Sequence, residues 1–173
     1  MTQPEVLIVI GSDSDLPVAQ ETFHILERFG VKYEARISSA HRSPERTSRI
    51  AAEAASKGVK IIIAGAGMAA HLAGVIASST TLPVIGIPMP GGALNGVDAL
   101  YSTVQMPGGI PVATMAIGKS GARNAAIFAI QILSLQNHKL AEMLQEYRHE
   151  IAKEVEMKDQ ELMSGINGQP VFP

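Results

Sequence analysis

The 173-residue sequence contains no cysteine. Disulfide bonds, thiolate metal sites and a cysteine nucleophile are therefore excluded, and the absence is typical of a cytoplasmic protein. Charged residues make up only 17% of the chain and the formal net charge is −2, so we expect no binding of nucleic acid or of an acidic membrane. Apolar runs are interrupted well short of a membrane span, and we expect neither a transmembrane helix nor a signal peptide.

Common catalytic signatures are missing as well. No histidine pair has the spacing of a zinc site, and neither a Gly-x-Ser-x-Gly elbow nor a Walker loop occurs. Gly65-x-Gly67-x-x-Ala70 matches a relaxed dinucleotide fingerprint, but it follows the third predicted strand and lacks an acidic residue about twenty positions later. We therefore expect no metal and no dinucleotide cofactor. Close approach of another ligand or chain segment explains these glycines better.

What the sequence does contain is an alternation of apolar strands and amphipathic helices. The apolar runs predict five strands: Glu5–Ile10, Val31–Ile37, Val59–Ala64, Leu82–Ile87 and Pro111–Ile117. The first predicted helix follows the Gly11–Asp15 turn and ends at Gly30. The others are Pro44–Lys57, an alanine-rich helix opened by Gly65–Leu72, Val97–Val104, and Ala122–Gln136. This order predicts an α/β fold, with three αβα layers around a parallel sheet of about five strands.

A long amphipathic helix is predicted from about His138 to Met163. Its apolar stripe contains Leu140, Leu144, Tyr147, Ile151, Val155 and Leu162. Such a helix packs on its own domain or on a neighbouring subunit, and the pattern leaves both open. We expect one domain over residues 1–163 and an irregular tail over 164–173. Because 46% of the residues are hydrophobic, we also expect a homo-oligomer that covers the exposed apolar surface.

The segment Ile37–Pro44 carries the strongest candidate site. A predicted strand runs into it, and Ser43 is a good N-cap for the helix that follows. His41 and Arg42 therefore lie at the carboxyl end of a strand, where ligands bind in open α/β sheets. An imidazole can transfer protons near neutral pH, and a guanidinium can hold a carboxylate or phosphate with two hydrogen bonds. The alternative is an ordinary surface pair.

The turn Gly11–Asp15 is a second candidate at a strand end. Its hydroxyls and backbone N–H groups suit an anion, and the Asp15 carboxylate suits the hydroxyls of a ribose. Together with Arg42, the turn fits a nucleotide-like ligand. The alternative, that Ser14 or Asp15 only caps the first helix, is equally consistent with the pattern. His71, at a predicted helix start, lies near the same rim.

Four segments occur in a specific order: Gly11-Ser12-Asp13-Ser14-Asp15, Ser39-Ala40-His41-Arg42-Ser43-Pro44, Ala64-Gly65-Ala66-Gly67-Met68-Ala69-Ala70-His71-Leu72-Ala73-Gly74 and Val104-Gln105-Met106-Pro107. Together they closely resemble the class I 5-(carboxyamino)imidazole ribonucleotide mutase family of de novo purine biosynthesis. The resemblance implies a flavodoxin-like sheet and an octamer with active sites between subunits. It also implies catalysis without metal, ATP or organic cofactor.

The resemblance implies a reaction in which a carboxylate moves from the exocyclic amine of an imidazole ribonucleotide to ring carbon four. The roles that it implies are a general acid and base at His41, phosphate binding by Ser12 and Arg42, ribose binding by Asp15, and a wall around the base and the carbon dioxide at Ala70, His71 and Leu72. Ser14 and Ser39 complete the implied substrate-binding residues. Met68 stands where the family usually has glycine, and Ala73 where it usually has proline, so differences in shape are expected in that wall.

Two other functions remain open. A class II carboxylase would use free carbon dioxide and the unmodified aminoimidazole nucleotide, although the Gln105-Met106-Pro107 motif is closer to class I. A non-catalytic nucleotide-binding module would need Arg42 and Asp15 but not a proton-transferring imidazole. His41 therefore discriminates between an enzyme and a binding module.

Overall fold

The computed structural model describes residues 3–166. Within this range a single parallel sheet contains strands β1 (Val6–Ile10), β2 (Tyr33–Ile37), β3 (Ile61–Ala66), β4 (Val84–Pro88) and β5 (Ala113–Thr114). The strands lie in the order β2-β1-β3-β4-β5. This is the flavodoxin-like order, so the predicted α/β fold is confirmed.

Six α-helices connect and follow the strands of the described chain. They are α1 (Leu16–Arg28), α2 (Pro44–Ala54), α3 (Leu72–Ser78), α4 (Val97–Val104), α5 (Lys119–Ser134) and α6 (His138–Ile166). Short 3₁₀ turns at Asp13–Asp15 and Ala55–Lys57 precede α1 and follow α2. Among the described residues, no helix combines the length and the apolar character needed to cross a membrane.

The three central strands form the core because helices cover both of their faces. Every residue of β1 and β4 is buried, as is β3 from Ile61 to Gly65. Such strands require continuous apolar runs rather than alternating ones, which explains the Val- and Ile-rich sequences of β1 and β3. Burial of this β-branched surface is the main force that holds the sheet together.

The prediction of a half-buried second strand was wrong for its final residues. Ala35, Arg36 and Ile37 are all exposed, and Ile37 keeps 44% of its surface accessible. The physical reason is that β2 is an edge strand with one neighbour. Its apolar side chains face an open cleft that Leu16 and Phe23 of α1 also line.

The fifth strand is shorter than the predicted range of 111–117, and α5 begins earlier than predicted. Met115 still donates its N–H to the carbonyl of Gly86 at 2.9 Å, but regular pairing stops at Thr114. The chain then turns at Gly118, whose φ of +76° favours glycine. This turn lets α5 start at Lys119 rather than at Ala122.

The chain divides into two compact units between Leu133 and Ser134. In the second unit, the side chain of Asn137 accepts the N–H of Leu140 at 3.3 Å and caps α6. Along its apolar stripe, Val155 and Leu162 are exposed. The helix continues to Ile166, three residues beyond the predicted end, while positions 167–173 of the predicted tail lie outside the described residues.

Gly121 lies in the first turn of α5, and we expect its substitution to lower the stability of the protein sharply. A Cβ added there would lie 1.6 Å from the carbonyl oxygen of Ala116, a backbone atom that cannot rotate away. Gly121→Ala should therefore lower the free energy of unfolding by about 3 kcal/mol or more. Gly108→Ala is the matched control, because an added Cβ meets nothing within 4 Å and should change stability by less than about 0.5 kcal/mol. Equal urea midpoints for the two variants would contradict this.

Candidate active site

The register of the sheet brings three loops to the same height. Ile10 of β1 pairs with Ile37 of β2 on one side and with Gly65 of β3 on the other, so the three strands end together. The N–H of Gly11 donates to the carbonyl of Gly65 at 3.0 Å, and the N–H of Ser38 donates to the carbonyl of Ile10 at 2.9 Å. The loops that follow lie at the carboxyl edge of the sheet where the strand order reverses, which is the usual ligand position in this architecture.

These loops enclose a cavity of about 430 Å³. The predicted site residues that line it are Ser12, Ser14, Asp15, Ser39, His41, Arg42, His71 and Leu72. Ala70 does not line the cavity, because its side chain is buried, with only 1% of its surface accessible. The glycine-rich turn after β3 contributes Gly67, Met68 and Ala69 instead.

The two histidines of the cavity contact each other directly. Nε2 of His41 lies 2.7 Å from Nδ1 of His71, and the rings meet edge to face with centroids 4.9 Å apart. One nitrogen must donate and the other accept, so a proton on both would place two donors face to face. The pair therefore holds one proton at this contact. The sequence placed both residues near the rim, but nothing in it indicated this hydrogen bond.

Local hydrogen bonds fix the loop that carries His41 and Arg42. The Ser39 hydroxyl accepts the backbone N–H of Arg42 at 3.2 Å, and the Ser39 carbonyl accepts both the N–H and the hydroxyl of Ser43. The Ser43 side chain therefore bonds within the loop and makes no cap for α2, so the predicted N-cap hydrogen bond is absent. The guanidinium of Arg42 donates to the carbonyl of Gly11 at 3.4 Å, which joins the two polar loops.

The turn after β1 presents a compact group of hydroxyls. The Ser12 oxygen accepts the N–H of Ser14 at 3.3 Å and the hydroxyl of Ser14 at 3.0 Å, while its own hydroxyl donates to Asp13. Ser12 is thus the residue that caps this turn. Asp15 makes no side-chain cap for α1, so the capping explanation of Asp15 does not hold.

Partial burial raises the pKa of the Asp15 carboxyl above its usual range. The negative charge of Asp13 adds to this rise, and a hydrogen bond from the Ser12 backbone opposes it. The ionised form of Asp15 is therefore disfavoured where it lies in the cavity. A ligand that donates hydrogen bonds to it would relieve that cost.

The two glycines of the apparent dinucleotide fingerprint differ in how closely the loop after β4 approaches them. A Cβ on Gly65 would lie 2.2 Å from the terminal methyl of Met89, and one on Gly67 would lie 3.5 Å from the Met89 carbonyl. Gly65 therefore admits the Met89 side chain from the loop after β4, whereas Gly67 makes an ordinary contact with that loop and lines the cavity. Within residues 3–166, no three histidine or carboxylate side chains are grouped so that they could hold a metal ion.

Comparison with known proteins agrees with this arrangement. The family model described as AIR carboxylase matches residues 5–154, which include all three loops of the cavity. The chain belongs to the AIR carboxylase family.

Several curated relatives match this chain along most of their own length. The N5-carboxyaminoimidazole ribonucleotide mutase of Pyrococcus horikoshii is 53% identical over 92% of this chain and 89% of that protein. The protein of the same name from Thermotoga maritima is 51% identical over 92% of both chains. The crystal structure of Treponema denticola PurE matches with a TM-score of 0.81 and 30% identity, over 92% of this chain and 99% of that chain.

The raised pKa of Asp15 predicts that Asp15→Asn stabilises the protein. Because the folded-state pKa lies above the ordinary value of about 3.9, ionised Asp15 is less favourable in the folded chain than in the unfolded one. This cost is complete above the raised pKa and disappears below the ordinary one. At pH 7 the variant should melt roughly 1–3 °C higher than the wild type, a small shift because solvent screens a partly exposed carboxylate.

The melting-temperature difference for Asp15→Asn should vanish as the pH falls below about 3.5, where both states of the wild type are protonated. Asp159→Asn is the matched control, since Asp159 is exposed on α6 and should show no difference at either pH. A variant less stable than the wild type at pH 7 would contradict the prediction.

Proposed function

We propose that this protein is a mutase, and hence an isomerase, of de novo purine biosynthesis. It converts 5-(carboxyamino)imidazole ribonucleotide to 4-carboxy-5-aminoimidazole ribonucleotide. The observation that carries the proposal is the His41–His71 pair in a cavity whose other polar groups suit a nucleotide. The names of the Pyrococcus and Thermotoga relatives support the same reaction.

Different side chains of the polar loops bind the phosphate and the ribose of the nucleotide. Arg42 and the hydroxyls of Ser12 and Ser14 bind the phosphate, because a guanidinium beside clustered hydroxyls supplies charge-assisted hydrogen bonds to its oxygens. Asp15 accepts hydrogen bonds from the ribose hydroxyls. Ser39 supports this arrangement by holding the backbone of Arg42.

The chemistry uses His41 twice. The bond between the carboxyl carbon and the exocyclic nitrogen breaks, carbon dioxide leaves, and the imidazolium of His41 protonates the nitrogen. Ring carbon four then attacks the carbon dioxide, and neutral His41 removes the proton from that carbon to restore aromaticity. Because the proton returns to its donor, the cycle needs no cofactor.

The walls of the cavity supply proximity and orientation. The segment that carries His71 and Leu72 encloses the base and the carbon dioxide, which must be recaptured before it diffuses away. His71 holds the His41 ring through the 2.7 Å hydrogen bond. A fixed ring delivers and collects its proton along one path, which suits a group that must serve both steps.

One assay separates this function from its two alternatives. The purified protein is given either the carboxyamino nucleotide, or the unmodified aminoimidazole nucleotide together with dissolved carbon dioxide. A mutase converts the first rapidly. A class II carboxylase favours the second, and a binding module converts neither. Turnover of the carboxyamino nucleotide supports the proposal, and either other result overturns it.

His41→Asn tests the proton-transfer role. Asparagine keeps polarity and approximate size but cannot change its protonation state. Turnover of the carboxyamino nucleotide should fall by at least ~10²-fold, while nucleotide affinity should stay within about tenfold, or roughly 1.4 kcal/mol. Both quantities are measured on one preparation, by conversion assay and by isothermal titration calorimetry.

His24→Asn is the matched control, because His24 is exposed on α1 and does not line the cavity. It should retain normal turnover. Near-normal turnover of His41→Asn would remove His41 from the mechanism and point to His71. A loss of affinity as large as the loss of turnover would contradict a role confined to proton transfer.

We also propose that the active form is a cytoplasmic homo-octamer with active sites shared between subunits. Large apolar side chains are exposed on several elements of the single chain, including Tyr101 at 61% and Leu135 at 83%. The exposed stripe of α6 adds Val155 and Leu162. Apolar surface of this extent is typical of subunit interfaces.

Multi-angle light scattering at micromolar concentration should give eight times the mass of one chain. If neighbouring subunits complete the sites, dilution below the assembly range should lower the specific activity together with the mass. A folded monomer with full specific activity would contradict the proposal.

A further inference from the structure

Met68 has a backbone conformation that does not suit it. Its φ of +52° lies in the left-handed region, and among residues 3–166 the only other non-glycine residue with positive φ is Asn95. Asparagine tolerates this region because its short polar side chain can bond the local backbone. Methionine has no such compensation. The strain is the cost of holding a methionine side chain where the family usually has glycine, and such an outlier at the edge of a site motivates a functional hypothesis for the side chain.

The side chain of Met68 reaches from the loop after β3 to the loop after β4. A Cβ on Gly92 would lie 3.3 Å from Cγ and 3.8 Å from Sδ of Met68. The second loop is anchored beside the first, because the N–H of Met89 donates to the carbonyl of Ala66 at 2.8 Å. Met68 therefore spans the gap between two neighbouring loops at the carboxyl edge of the sheet.

Met68 also lines the cavity that contains His41 and His71. The side chain keeps 62% of its surface accessible, so it stands at the mouth of the cavity. A thioether cannot hold a phosphate or a ribose. A flexible apolar side chain in that place narrows the opening and keeps water out.

We propose that Met68 retains carbon dioxide in the cavity between the two chemical steps. The inference rests on the proposed mutase function, in which cleavage of the carboxyl–nitrogen bond releases carbon dioxide before the bond to ring carbon four forms. Carbon dioxide is neutral, so the Arg42 guanidinium cannot retain it by an ion pair. Its retention depends on apolar walls, which Ala69 and Leu72 provide inside the cavity and Met68 provides at the mouth.

The test measures directly how much carbon dioxide escapes from the cavity during turnover. Each enzyme converts unlabelled carboxyamino nucleotide in buffer that contains ¹³C-labelled bicarbonate and dissolved carbon dioxide. Mass spectrometry then gives the labelled fraction of the 4-carboxy product at early times, after subtraction of an enzyme-free reaction. Retained carbon dioxide yields unlabelled product, whereas escape and replacement from solution introduce the label.

Three substitutions separate the side chain from the backbone. Met68→Gly removes the side chain and relieves the positive φ, Met68→Ala removes the side chain alone, and Met68→Leu keeps the apolar bulk. The labelled fraction should rise about threefold or more for glycine and alanine, and stay near the wild-type value for leucine. Leu94→Ala is the control, because Leu94 is 60% exposed in the loop after β4 but does not line the cavity.

An unchanged labelled fraction in both Met68→Gly and Met68→Ala would overturn the inference, even if their turnover fell. An equal rise in Leu94→Ala or Met68→Leu would also overturn it, because general loosening of the loops would then explain the escape. Failure of the wild type to form any product would instead refute the proposed function. The two failures are therefore distinguishable.

Discussion

The parallel pairing of β1 with both β2 and β3 is the constraint on which the site depends. Through it, Ile10 lies between Ile37 and Gly65, and three loops start at the same level. A slip of one residue in either pairing would reverse which side chains face each layer and would separate the loops. Because β1 and nearly all of β3 are apolar and buried on both faces, their side-chain pattern alone does not select this register. Backbone hydrogen bonds just beyond the strands, from Gly11 to the Gly65 carbonyl and from Ser38 to the Ile10 carbonyl, hold it.

A second set of contacts joins this apolar framework to the polar cavity. The buried hydroxyls of Ser38 and Thr47 lie 2.8 Å apart and connect the loop after β2 to α2. Among the described residues, no buried side-chain nitrogen or oxygen lacks a hydrogen-bond partner. The loop that bears His41 therefore rests on satisfied polar contacts, and its orientation is preorganised before any ligand arrives.

Two residues of the cavity stand in places that cost the folded chain stability. Asp15 carries a carboxylate whose pKa is raised by burial, and Met68 has left-handed backbone geometry. Both costs lie at the rim of the sheet, where few core contacts would be lost by changing them. Unfavourable features that cluster in one cavity are typical of a functional site, because binding and catalysis there outweigh a small loss of stability.

The sequence by itself determined the three central strands, the turns that end them and the edge at which His41, Arg42 and Asp15 lie. These are local properties: apolar periodicity, glycine and proline signals, and the rule that ligands bind at strand carboxyl ends. Only the tertiary structure decided that His41 bonds His71, thirty positions away, that Ala70 is buried, and that Met68 covers Gly92. Those outcomes depend on where α3 begins and on how neighbouring loops pack, and side-chain direction at such places is set by contacts between distant segments rather than by the residues on either side.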